Sequence, residues 1–149
     1  MNIKILGAAV VAIGLAFAAS MVSMAASHKA EEVEHKIVIQ VSTDDPRTQT
    51  IALNNAVNLQ KHYGVDNITI EIVAYGPGLN MLTTKSKSVE RITSLAQQDI
   101  TFSACGNTMA KMEAKSGKKP KLLEGVDKVT AGVAQIMELQ EQGYAYVRP

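Results

Sequence analysis

The chain has one cysteine, Cys105, and its position suits it to chemistry better than any other side chain. It closes the expected strand Asp99–Ala104 (DITFSA), and Gly106-Asn107-Thr108 follow, with a helix expected to begin near Thr108. The partial positive charge at a helix N-terminus favours thiolate over thiol and lowers a cysteine pKa. Gly106 leaves room for a reacting partner to come close. From Lys111 to Lys121 the chain carries five lysines and one glutamate, a local excess that either draws an anionic sulfur species or solvates a loop. A second reading stays open, because a cysteine at a strand end is often a small buried apolar residue. With a single cysteine there is no intramolecular disulfide, no multi-cysteine metal cluster and no resolving thiol for C-x-x-C exchange.

Other polar residues carry weaker signals. His28, His35 and His62 have no spacing that ties them to Cys105 and read as surface residues. Asp44 and Asp45 pair in sequence, but capping of the following helix explains them more simply. Asn54, Asn55 and Asn58 form an amidic stripe, either solvated or at a subunit contact. Met109 and Met112 read as packing residues. No G-x-G-x-x-G follows the first strand and no P-loop lysine motif exists, so neither a nucleotide cofactor nor a metal is expected.

These residues need a scaffold. His35–Val41 (HKIVIQV) is nearly continuous in apolar, β-branched residues, as a strand buried on both faces of a parallel sheet would be. Ser42-Thr43-Asp44-Asp45-Pro46 supplies a cap and a first-turn proline for a helix over 47–63, which Gly64 ends. A second strand is expected over Ile68–Tyr75, broken by Gly76-Pro77-Gly78. A short helical piece near 79–83 and a helix over 89–98 precede the Cys105 strand. The helix after Cys105 fades by Lys115. A weak strand near 128–130, a helix over 131–142 stopped by Gly143, and a short strand over 144–147 complete the chain. Strands alternating with helices imply βαβ units, a parallel sheet and right-handed crossovers. Ligands in such folds bind beyond the carboxyl ends of the strands, which selects the loops Ser42–Pro46, Tyr75–Gly78 and Cys105–Asn107.

The N-terminal segment is different in kind. Lys4 is followed by about fifteen apolar residues from Ile5 to Ala19, and Ser23-Met24-Ala25 offers small residues for cleavage. This is the layout of a signal peptide over residues 1–25, and it predicts a periplasmic protein with no membrane attachment after cleavage. A retained anchor is the alternative, although a spanning helix needs about 20 apolar residues. Residues 26–35 read as a polar, flexible arm, and the folded domain occupies 36–149. The chain's 149 residues and 46% hydrophobic content fit one globular domain. A net charge of +1 and 4% aromatic residues argue against a nucleic-acid partner.

Taken together, STDDP, ALNNAVNL, IEIVAYGPGL, FSACGNTM and AGVAQIMELQEQGYAYVRP resemble the DsrE/DsrF-like family, in its secreted single-domain branch, over about residues 36–149. The resemblance implies a three-layer α/β/α fold with a five-stranded parallel sheet in the order 4-3-2-1-5. It also implies homo-oligomers, as trimers or hexamers. In that order the second strand is central, and its Thr69 and Glu71 then turn one sheet face toward solvent or a subunit. Better-studied members of the wider family relay sulfur as a cysteine persulfide in the cytoplasm, and Cys105 is the position here that matches the sulfur-bearing residue. An export signal departs from that setting.

Two functions follow. In the first, Cys105 carries sulfane sulfur between a donor and an acceptor protein. Backbone N–H groups over Gly106, Asn107 and Thr108 stabilise its charge. Tyr75, Gly76 and Gly78 shape the pocket, and Ser42 and Asp45 lie across from it. In the second, the protein is a non-enzymatic binding or assembly module with a structural cysteine.

Overall fold

The computed structural model describes residues 34–149. The expected signal peptide (1–25) and all of the expected arm (26–35) except its last two residues lie outside this range. His35, the arm's last residue, opens the first strand.

Nine main elements follow one another: β1 (His35–Val41), α1 (Pro46–Tyr63), β2 (Ile68–Ala74), α2 (Val89–Ala96), β3 (Ile100–Cys105), α3 (Gly106–Ser116), β4 (Val126–Val129), α4 (Gly132–Glu141) and β5 (Ala145–Val147). Short 3-10 helices cover Val65–Asn67 and Gly76–Leu82. The sheet is parallel throughout and ordered β4-β3-β2-β1-β5. Local chemistry explains the boundaries. Asp45 caps α1 by accepting from the Thr48 N–H at 2.7 Å, with Pro46 as the first helical residue. Gly64, at φ 89°, closes the same helix. Most boundaries shift by one or two residues from the sequence expectation, β4 for example covering Val126–Val129 rather than 128–130, and two of the differences bear on the site. Helix α3 starts at Gly106 rather than Thr108, because Cys105 is itself the extended cap residue. Gly76-Pro77-Gly78 does not only break β2 but opens the 3-10 turn.

Handedness dictates which face each helix covers. From β1 through β4 the chain moves in one direction across the sheet, so right-handed crossovers put α1, α2 and α3 on one face. The step from β4 back to β5 reverses direction and sends α4 across the other. The first face holds the main core. Ile37, Ile39, Ile70, Ile72 and Phe102 of the sheet meet Leu53, Leu79, Leu82 and Ile92, all buried. Val38 and Val73 meet Ile136 and Leu139 of α4 in a smaller second core.

The expectation that Glu71 turns to solvent or a subunit is corrected. Glu71 is 7% exposed, roofed by α4. Its Oε1 accepts from the Ser103 hydroxyl at 2.6 Å and from the Gln135 side-chain amide of α4 at 3.0 Å. A central strand can carry an acidic residue on this face because α4 brings its own donor to it. The carboxylate also acts on Tyr144, whose phenol is pushed up first by burial and then by the charge of Glu71.

Gly78 packs directly beneath the end of β1, where an added Cβ would collide with the Val41 carbonyl. Gly78→Ala is therefore expected to lower the urea unfolding free energy by roughly 1–3 kcal/mol, the usual cost of overpacking. An unchanged unfolding midpoint would show that β1 and the 3-10 turn can separate freely.

Candidate functional site

Cys105 stands where β3 and β4, neighbours in the sheet, send their connections to opposite faces. This is a topological switch point, the place where open α/β sheets leave a crevice between diverging loops. Two helix N-termini meet there. Cys105 is the cap residue of α3, and Gly132, the first residue of α4, lies against it. A Cβ on Gly132 would come within 3.2 Å of the Cβ atoms of both Cys105 and Tyr75, so glycine is what lets α4 start this close. Gly106, the first residue of α3, packs in the same way against the backbone of Val129 and Thr130.

The sulfur is largely enclosed, the residue being 5% exposed. Two effects on the thiol oppose each other. Burial pushes its pKa up, and this is the largest single influence. The Thr108 hydroxyl and the N–H groups of Gly132, Thr108 and Asn107 together outweigh it and hold the thiol below its ordinary range. The Cys105 side chain makes no cap hydrogen bond to α3. The contributions of the four donors differ. The Asn107 N–H already donates to the Thr130 carbonyl at 3.1 Å, which leaves it the weakest of the four. Thr108 is better prepared, because its Oγ1 accepts from the Gly76 N–H at 3.0 Å and its own proton is left for the sulfur.

The expected site residues separate into two groups. Tyr75, Gly76, Gly106 and Asn107 gather around the sulfur, as described. One residue past the paired ladder, the β1–β2–β3 register puts Ser42, Tyr75 and Cys105 in one row on the α4 face. Ser42 accepts from the buried Gln40 amide at 3.3 Å, and Gln40 in turn accepts from the Tyr146 hydroxyl at 2.6 Å. Gly78 sits beneath the Val41 carbonyl. Asp45 is committed to its own helix, and Thr48 bonds hold its carboxyl below the usual range. His35 packs tilted on the Tyr63 ring and His62 meets it edge to face, where β1 begins and α1 ends, the opposite end of the sheet from Cys105. Met109 is buried in the main core. Sequence reasoning did not single out Gly132, nor the Thr108 side chain. The signal for Thr108 was its place three residues after a cap residue. Gly132 becomes visible only once β4 is known to lie beside β3.

A surface cavity of about 400 Å³ opens next to this cluster, lined by Tyr75, Gly76, Pro77, Thr108, Lys111 and Lys115, among others. Cys105 is not part of its wall, which its neighbours Tyr75 and Thr108 help to form. Among the described residues no group of three or more His, Cys, Asp or Glu side chains is placed to hold a metal ion. The arrangement therefore offers a nucleophilic sulfur, donors for its charge and an adjoining cleft.

Thr108→Val, which removes the hydroxyl but keeps the shape, is expected to move the pH midpoint of Cys105 alkylation upward, while Thr108→Ser leaves it near the parent value. Equal midpoints in all three proteins would remove Thr108 from the site. Stability follows with a definite sign. The folded thiol has the lower pKa, so the unfolded chain binds more protons between the two pKa values, and stability rises with pH up to the unfolded thiol's value of about 8.5. That stability is lost as pH falls through the folded pKa. Thermal melts of Cys105→Ser should lack this rise, and an identical pH profile would contradict the assignment.

Comparisons with known proteins bear on the family and the fold. The profile of the DsrE/DsrF-like family matches residues 35–149. MTH1491, a protein of unknown function from Methanobacterium thermoautotrophicum, has a similar structure, with a TM-score of 0.70 and 33% sequence identity over 77% of this chain and 99% of that one. The ychN protein from E. coli shares the fold at a TM-score of 0.62 and 13% identity, over 77% of this chain and 99% of its own. No curated protein matches. With its sheet order, its flanking helices and the span of the family match, the chain belongs to the DsrE/DsrF-like family.

Proposed function

We propose that this protein is a periplasmic sulfur carrier that holds sulfane sulfur as a persulfide on Cys105. The observation that carries this reading is the position of Cys105 as the cap residue of α3, with Gly132 at the start of α4 packed against it. In the loading step the Cys105 thiolate attacks the outer sulfur of a donor persulfide. A bond forms from Sγ to that sulfur, the donor's S–S bond breaks, and the donor leaves as its thiolate. Sulfur moves without net oxidation or reduction. In the unloading step an acceptor thiolate attacks the terminal sulfur, and Cys105 departs as the leaving group. A depressed pKa serves both steps. It raises the thiolate fraction for attack and makes Cys105 the faster leaving group.

The leader Met1–Ala25 supports export, and the donor and acceptor would then be exported proteins. Homo-oligomer formation is part of the same proposal. Val133 and Met137, one turn apart on α4, are 67% and 62% exposed, and burying them against a second copy would remove apolar surface from water. One experiment reads all three parts. Protein recovered from the periplasmic fraction, incubated with polysulfide and weighed under native conditions, should begin at Ala26, form a trimer or hexamer, and gain one sulfur per chain that a reductant removes. Cys105→Ser should gain none. A parent protein that takes up no sulfur, or a serine variant that takes up as much, would overturn the carrier role.

A further inference from the structure

The cavity beside Thr108 does not end there. A second cavity of about 480 Å³ adjoins it and shares Asn80 and Met112 in its wall. Lys111 and Lys115 line the first, and Lys85, Lys118, Lys119 and Lys121 line the second. No Asp or Glu lines either one. Among the described residues none of these lysines forms a salt bridge. The local charge is thus set apart from a chain whose overall charge is only +1.

Size and spacing identify the occupant. A small inorganic sulfur anion displaces only a few waters, each about 30 Å³, and would leave most of this groove unfilled. Lys111 and Lys115 lie six and ten residues along α3 from Cys105, which is roughly 9–15 Å at the helical rise. An extended peptide covers that distance in about three to five residues. Met112 and Pro77 add apolar surface that a backbone can lie on. A nucleic acid fits less well, because the linings contain no arginine and Tyr75 is their one aromatic side chain.

We propose that this lysine-lined groove receives an acidic, extended segment of the sulfur-exchanging partner protein, with carboxylates three to five residues from the partner's reactive cysteine. The carboxylates sit on Lys111 and Lys115 and continue toward Lys118–Lys121, so that the partner's sulfur reaches Cys105 past Tyr75 and Thr108. This inference rests on the carrier reading and names the partner class for the same site. Exposed lysines act at a distance, so the attraction raises the association rate and weakens with salt.

Two measurements test it. The first uses Cys105→Ser protein, which cannot react, and fluorescent cysteine-free peptides of equal length carrying four glutamates, four glutamines or four lysines. The glutamate peptide is expected to bind, more weakly as salt increases, and the Lys111→Glu/Lys115→Glu protein is expected to lose that binding. The second uses the parent thiol and the same peptides with one cysteine activated as a thionitrobenzoate disulfide. Cys105 attacks the peptide sulfur, thionitrobenzoate leaves, and its colour gives the rate. The glutamate peptide should react about tenfold or more faster than the glutamine peptide at low salt. In the doubly reversed protein that ratio should collapse. Equal binding of the glutamate and glutamine peptides, an unchanged ratio in the lysine variant, or an oligonucleotide of equal charge displacing the peptide as well as unlabelled peptide does, would each overturn the groove. Slow reaction with every disulfide, alongside intact glutamate-peptide binding, would instead count against the carrier chemistry and leave the groove standing.

Discussion

A right-handed crossover that reverses direction once organises this molecule. From β1 to β4 each connection lays its helix on the same face, and the return from β4 to β5 must cross on the other. At the β3–β4 boundary the chain therefore splits, with α3 leaving upward on one side and α4 on the other. The N-termini of both helices are left facing the same small volume, and Cys105 occupies it. The two helix ends and the N–H of Gly132 are brought to the sulfur because the right-handed connections of β3 and β4 leave on opposite faces.

The balance at the sulfur depends on distant supports. Burial alone would push the Cys105 pKa up, and four donors turn the shift downward. Each donor is itself held. Thr108 is oriented by the Gly76 N–H, which ties the turn after β2 to the first turn of α3. Gly132 is held with α4, whose Gln135 is anchored one turn later to the buried Glu71 carboxylate and, through it, to Ser103 of β3. Glu71 thus acts as a fixed polar peg on an otherwise apolar central strand. A buried carboxylate is costly without donors, so the peg keeps α4 in register while α4 keeps the peg satisfied.

Much of this was legible in the sequence. The nearly continuous apolar run of β1 and the Asp45-Pro46 start of α1 marked the elements, and the resemblance carried by AYGPGL and ACGNTM implied the layers and the strand order. Cys105 stood out through its uniqueness and its place at a strand end. What could not be read is what depends on the return of the chain. Glu71 looked like a solvent-facing residue because period-two alternation reports polarity, not whether a later helix arrives with a donor. Gly132 drew no notice because β4, with only four residues, gave too little pattern to place its end beside Cys105. The lysines of 111–121 were visible as a charge excess, but their continuity with Lys85 needed the fold.

The central claim is that the folded environment lowers the pKa of Cys105. An NMR titration of the Cys105 β-carbon, in the folded protein and in the same chain unfolded by denaturant, tests it most directly. The account predicts that the folded protein titrates at the lower pH of the two, with a single inflection. A folded midpoint at or above the unfolded one would mean that burial wins over the donors, and the account would fail.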